Sequence, residues 1–162
     1  MRFMSPNRPR RRSSPAPGEY AAGAGPNDNN AEAGRNMTPE RLLFILFLMQ
    51  VKHLLADYVW QTGWMVANKG RYGHPGGIAH AGMHAVFSLV VILALGFGPM
   101  LALGLAVFEF VVHYHVDWSK DQILRRRALG PAMREYWIWT GVDQFAHQVT
   151  MLAMVLGLLW WG

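Results

Sequence analysis

The sequence predicts an all-α fold: a four-helix transmembrane bundle, up-down in topology, with a short interfacial helix and a disordered N-terminal tail. Three observations lead there. Of 162 residues, 52% are hydrophobic and only 15% charged, where a soluble domain carries roughly 25% charge. The apolar residues gather into four runs, each long enough at 1.5 Å per residue to cross a hydrocarbon core of about 30 Å. Turn-forming residues separate the runs at hairpin spacing. Cysteine is absent, which excludes disulfides, thiolate nucleophiles and cysteine-ligated metals.

Residues 1–36 differ in composition from everything after them. Arg2, Arg8, Arg10, Arg11, Arg12 and Arg35 lie here, against Glu19, Asp28 and Glu32. Such a stretch buries too little apolar surface to offset its ordering entropy, so disorder is expected. No apolar run follows the arginines closely enough for an export signal. The tail reads as a solvated arm or as a contact for anionic lipid headgroups. Without it, nine basic residues face seven acidic ones, so the high overall pI does not argue for specific nucleic-acid binding. Met37-Thr38-Pro39-Glu40 combines a helix N-cap, a proline at the first helical position and a first-turn acid. Residues 37–162 are therefore the expected membrane domain, and Met37 is a candidate initiator beside Met1.

The first span starts at Leu42 and continues past Lys52 to Trp60, the second runs from about Ile78 to Phe97, the third from about Met100 to Val116, and the fourth from about Val142 to Trp161. Phe97-Gly98-Pro99 makes a tight turn between spans two and three. Gly70, Gly73, Pro75, Gly76 and Gly77 make the loop before span two irregular. Between spans three and four, Lys120 to Arg134 is basic, and Trp118, Ile123, Leu124 and Leu129 suggest a short helix along the headgroups. Lys69, Arg71, Lys120, Arg125, Arg126, Arg127 and Arg134 flank one side of the spans, which puts both long loops in the cytoplasm of a bacterial inner membrane by the positive-inside tendency. Trp60, Trp64, Trp118, Trp137 and Trp139 read as an interfacial belt on that side, with Trp160 and Trp161 marking the other.

The chemistry lies in one repeated spacing. Span one ends His53-Leu-Leu-Ala-Asp57, span two opens His80-Ala-Gly-Met-His84, span three carries His113-Tyr-His-Val-Asp117, and span four opens Asp143-Gln-Phe-Ala-His147. Residues four apart share a helix face about 6 Å apart. Random placement of the His and Asp residues would give about one such pair, by template counting. A fifth, Asp117 with Asp121, lies in the basic loop and carries no expected role. In an up-down bundle the other four pairs meet at one depth, beside the two long loops. His53, Asp57, His80, His84, His113, Asp117, Asp143 and His147 are a ligand set for Zn, Mn or Fe, as one ion or as two bridged by an aspartate. A metal-free hydrogen-bonded cluster is the plainer reading. His74 and His115 fall outside the pattern.

At these residues the chain resembles the domain of unknown function 3307 family of small bacterial and phage membrane proteins. The resemblance covers about Leu42 to Leu156. It rests on Lys52-His53-Leu54-Leu55-Ala56-Asp57-Tyr58, Gln61-Thr62, Trp64-Met65, Asn68-Lys69, His80, His84, the His113/Asp117/Lys120 array and Asp143-Gln144-Phe145-Ala146-His147. It implies a membrane protein of unassigned activity. In plan, the chain is more weakly similar to membrane-bound metal-dependent hydrolases.

Three functions follow as expectations. In a metal-dependent hydrolase acting on a phosphoester or lipid headgroup, the cluster activates a bound water. Asp57 or Asp143 then takes the proton, Lys52, Lys69 and Lys120 neutralise an anionic substrate or else snorkel to headgroups, and Gln61 and Gln144 orient the substrate. The alternatives are divalent-metal or proton transport and sensing, which would need an oligomer, and a non-catalytic membrane accessory protein. The expected partners are the bilayer and anionic lipids meeting the tail and the 120–134 loop. Glu109, mid-span, is expected to be paired or protonated.

Overall fold

The computed structural model describes residues 37–162; the expectations of tail disorder and of headgroup contact through the tail fall on residues outside these. The described residues are helical, with no strand among them. Helix α1, Pro39–Leu55, opens on Thr38, whose hydroxyl accepts the Arg41 N–H at 3.3 Å. It ends in a π-helical turn, Ala56–Trp60, where the Gln61 N–H reaches back to the Ala56 carbonyl. A short α2, Gly63–Asn68, follows, and then α3, Pro75–Ala94, α4, Pro99–Arg126, and α5, Arg134–Trp161. Both Pro75 and Pro99 stand in the first turn, where a missing N–H costs nothing. Gly96, at φ +86°, supplies the left-handed residue that turns α3 toward α4.

The basic stretch Lys120–Arg134 does not make a helix of its own. α4 runs on through Arg126, and the short helix among the described residues is α2, in the other long loop. No breaker lies between Val116 and Arg126, so once α4 is in register the helix simply continues. It ends with the cap at Arg127 and Ala128 in the left-handed region at φ +50°, where the Leu129 N–H bonds back to the Leu124 carbonyl at 2.9 Å.

In the bundle, α1 packs on α3 and α5, and α4 packs on the same two, so sequential spans are neighbours and α1 faces α4 across the diagonal. Four helices are long and apolar enough to cross a membrane. The burial pattern agrees with lipid as solvent: Phe44, Phe47, Val90, Phe145 and Leu152 are exposed, while His84, His113, Lys52 and Glu109 are buried. A water-soluble protein would invert that arrangement. The protein is an integral membrane protein of four spans.

The interior has two halves. At the short-loop end, Ile45, Met49, Ile92, Phe97, Met151, Met154 and Leu158 form an apolar core. The Arg41 guanidinium tethers α1 to the α3–α4 turn, donating to the Leu95 carbonyl at 2.9 Å and lying over the Phe97 ring. The polar residues fill the other half.

Candidate metal centre

The helix register places the cluster. Counting 1.5 Å per residue up from Pro39, Ala94, Pro99 and Trp161, His53, His80, His113 and His147 all stand about 21 Å from the short-loop end. By the same count Asp57, Asp117 and Asp143 stand about 27 Å up, and His84 and Glu109 about 15 Å. One layer is imidazole, the next carboxylate. All eight ligand candidates named from the sequence converge on the bundle axis, and all eight are buried.

Asp57 is the hub. Its Oδ1 lies 3.1 Å from His84 Nε2 and 3.3 Å from His80 Nε2, and its Oδ2 lies 3.2 Å from His53 Nε2. The Gln144 amide donates to Oδ2 at 3.4 Å, so it is engaged with Asp57 in this structure. The π turn carries Asp57 into this position; such turns occur often at functional sites. Asp117 Oδ2 lies 3.1 Å from His80 Nε2 and 3.6 Å from His113 Nε2. The two imidazole nitrogens His80 Nε2 and His113 Nε2 face each other at 3.2 Å. His147 packs against His113 with ring centroids 4.1 Å apart, and its Nδ1 is 4.0 Å from Asp143 Oδ1.

Two donor groups can be drawn through these atoms. One atom each from Asp57, His80, His84 and His113 lie within 4.8 Å of one another, as do one each from His113, Asp117 and His147. His113 is common to both. Several buried polar atoms here make neither a hydrogen bond nor an ion pair, among them His147 Nε2, His80 Nδ1 and His84 Nδ1. A buried orphan costs about 1–3 kcal/mol, so the arrangement is expensive as a purely hydrogen-bonded network.

Cations ring the outer edge. Lys69 Nζ lies 3.3 Å from Asp117 and Lys120 Nζ 3.6 Å from Asp143. Burial alone would depress the Lys69 ammonium, but the carboxylates of Asp117, Asp57 and Asp143 outweigh it and hold the group above the usual lysine range. Lys69 reaches inward because its loop presses on α3: a Cβ on Gly77 would stand 3.2 Å from the Lys69 Cα. The Gln122 amide, donating to the Gly70 carbonyl at 2.6 Å, fastens the same loop to α4.

Lys52 departs from its expected role. It neither snorkels nor faces a substrate; it crosses the bundle diagonal to pair with Glu109, both side chains buried, and donates to the His84 carbonyl at 3.3 Å. This strut underlies the histidine layer, and the spacing of charges along the chain carries no sign of it. The other exceptions behave as expected. Glu109 is paired, His74 caps α3 by accepting the Gly76 N–H, Asp121 pairs with Arg125, and His115 is exposed.

Comparison with protein families finds one match, described as Protein of unknown function (DUF3307), over residues 43–161. Neither the curated proteins nor the solved structures yield a match, and nothing in the comparisons supports the likeness to membrane-bound metal-dependent hydrolases.

Proposed function

The chain belongs to DUF3307, a family of proteins of unknown function, and we propose that it is a membrane-embedded metalloprotein that hydrolyses a phosphoester at one membrane face. The residues that hold the metal are His53, Asp57, His80, His84, His113, Asp117, Asp143 and His147, with Zn, Mn or Fe as one ion or two. The observation that carries this reading is the convergence of five buried imidazoles and three buried carboxylates from four helices on one end of the bundle, with Asp57, His80, His84, His113, Asp117 and His147 falling into two donor groups.

The donor set fits. Nitrogen and oxygen ligands without sulfur suit these ions. Tetrahedral donors about 2.1 Å from an ion stand about 3.4 Å apart, so donor groups whose atoms lie within 4.8 Å of one another hold an ion after closing by about an ångström. Charge argues the same way. Three carboxylates against Lys69 and Lys120 leave one net negative charge when the imidazoles are neutral, and a divalent cation reverses its sign. An ion would also engage the buried His147 Nε2, which makes no hydrogen bond.

A bound ion supplies a water acidic enough to ionise near neutral pH. The protein supplies the rest. Asp57 is committed to His53, His80, His84 and Gln144, which makes it a ligand. Asp143, with Oδ1 unengaged, takes the proton as the water oxygen bonds to phosphorus. Lys69 and Lys120 offset the charge on the phosphoryl oxygens while the bond to the leaving alkoxide breaks, and the alkoxide leaves with a proton from Asp143. By the charge bias of the loops the centre faces the cytoplasm.

Elemental analysis of the full chain purified in detergent tests the centre. The expected result is one to two equivalents of metal, lost in His80→Ala/His84→Ala; a metal-free wild-type protein refutes it. Metal without turnover across a panel of phosphomonoesters and phosphodiesters refutes the hydrolase and leaves the centre standing.

A further inference from the structure

We propose that the groove between α4 and α5 seats the hydrocarbon chain of a phosphate-headed membrane lipid, its phosphate held by Lys120 at the edge of the metal centre. The inference rests on the metal reading above and names the substrate class of that site.

The groove encloses about 450 Å³, a volume within the roughly 300–1,000 Å³ range of small-molecule sites. From Val111 to Ile123 it follows α4 for about 18 Å at 1.5 Å per residue. Val112, Val116 and Val142 make its walls apolar, yet Lys120 and Asp143 also line it. It opens on the outside of the bundle, at the depth of the spans, where the available solute is lipid chain.

Two other grooves give the contrast. That between α3 and α4, about 250 Å³, is lined by apolar residues and Gly82 alone. That between α1 and α3, about 230 Å³, meets charge only at Lys52, whose ammonium is committed to Glu109. Either accepts a bilayer chain without preference for its headgroup. Of these three grooves, the one between α4 and α5 ends on a cation paired with a carboxylate of the cluster.

Its polar end has a counterpart. A bowl of about 360 Å³ lies on the loop side, lined by Lys69, Lys120, Asp121, Arg125 and Tyr136 among others, with Asp121 paired to Arg125 and the two lysines leaving its balance positive. Lys120 belongs to both cavities. Apolar groove and cationic bowl thus form one amphipathic surface hinged on a single ammonium. The Arg127 guanidinium adds charge at the rim, lying over the ring of Trp139, which lines the groove.

The ion pairs specify an order. Lys69 and Lys120 sit on Asp117 and Asp143. A divalent ion taken by those carboxylates competes for the same oxygens and frees two ammonium groups for a phosphate. A neutral headgroup gains nothing from that exchange. Capture of the phosphate lipid therefore depends on metal.

The test uses the full chain in phosphatidylcholine nanodiscs, carrying the metal it is purified with, and metal content is measured on the same samples. Fluorescent phosphatidic acid should be retained about tenfold better than diacylglycerol of identical chains, the loss of charge-assisted contacts setting that scale. Lys120→Met should remove most of the preference. Val142→Trp, at an exposed position on the groove wall, should lower retention with metal content unchanged; Val116→Phe from the opposite wall repeats the test should Val142→Trp misfold. Equal retention of the two lipids by metal-loaded protein overturns the lipid assignment and leaves the centre. Full competition by inorganic phosphate does the same, since the bowl alone then binds. A wild-type chain without metal overturns both readings together.

Discussion

Lys52 and Glu109 offer the sharpest energetic test, because both lie buried across the bundle diagonal. By helix register they stand about 20 and 15 Å from the short-loop end, in the middle of a hydrocarbon core about 30 Å thick. From that depth neither side chain reaches water by snorkelling. Lys52→Met leaves the Glu109 carboxyl alone in the least polar part of the membrane. Removing one partner of a buried pair costs about 3–5 kcal/mol, and a lone charge at a span centre costs about 2.5–3.5 kcal/mol on insertion scales. Protonation of Glu109 caps the penalty, so the expected loss is about 3 kcal/mol, near the overlap of the two ranges. Lys52→Met with Glu109→Leu removes both charges and restores apolar packing, and should cost less than about 1 kcal/mol. Unfolding in mixed micelles of dodecylmaltoside and SDS, followed by tryptophan fluorescence and by circular dichroism, measures both. If the single variant is no less stable than the double, the strut does not hold the bundle.

Other outcomes follow from particular contacts. Asp57→Asn keeps the shape but takes one negative charge from the hub of three imidazoles; metal affinity should fall at least tenfold, read by competition with a chromogenic chelator. Gly77→Leu should destabilise by roughly 1–3 kcal/mol, since a Cβ there already crowds the Lys69 backbone and the Tyr114 ring, whereas Gly82→Ala, with only Phe110 at 3.9 Å, should be neutral in the same unfolding assay. Because the chain has no cysteine, single cysteines at the exposed Met100 and at Gly130 report sidedness: in intact cells a membrane-impermeant maleimide should label the first and spare the second, and the reverse pattern would put the centre outside.

Much of the site was legible because its signal is local. An i,i+4 pair fixes a helix face without knowledge of any partner, and up-down connectivity then fixes relative depth. Those two facts were enough to bring His53, His80, His113 and His147 into one layer. What remained hidden depends on rotation about helix axes and on tertiary contact. Lys52 and His53 are consecutive, yet one reaches across to α4 and the other turns to Asp57; no spacing rule distinguishes them. The π turn at Ala56–Trp60 has no compositional signature, since its register is set by where Asp57 must lie. The length of α4 was readable in principle. Apolar residues at Ile123 and Leu124 suggested a separate element, but the absence of any breaker after Val116 was the stronger signal.

The two halves of the interior bear on mechanism. Below the histidine layer, Met49 lies against Ser88, and Ile45, Ile92, Met151, Met154 and Leu158 close the axis down to the short-loop end. A hydrated ion crossing that plug would shed its water among groups that offer no replacement ligands, a cost of many kcal/mol. A conduit through one chain is therefore disfavoured, whereas chemistry that enters and leaves on one side meets no such barrier. The openings fit the proposal: Lys120 lines both the α4–α5 groove and the loop-side bowl, so the proposed lipid substrate and water would meet at the same edge of the cluster. Separate openings toward the lipid and toward the loop side are what the proposed interfacial hydrolysis would need, and a cluster present only to hold four helices together would require neither.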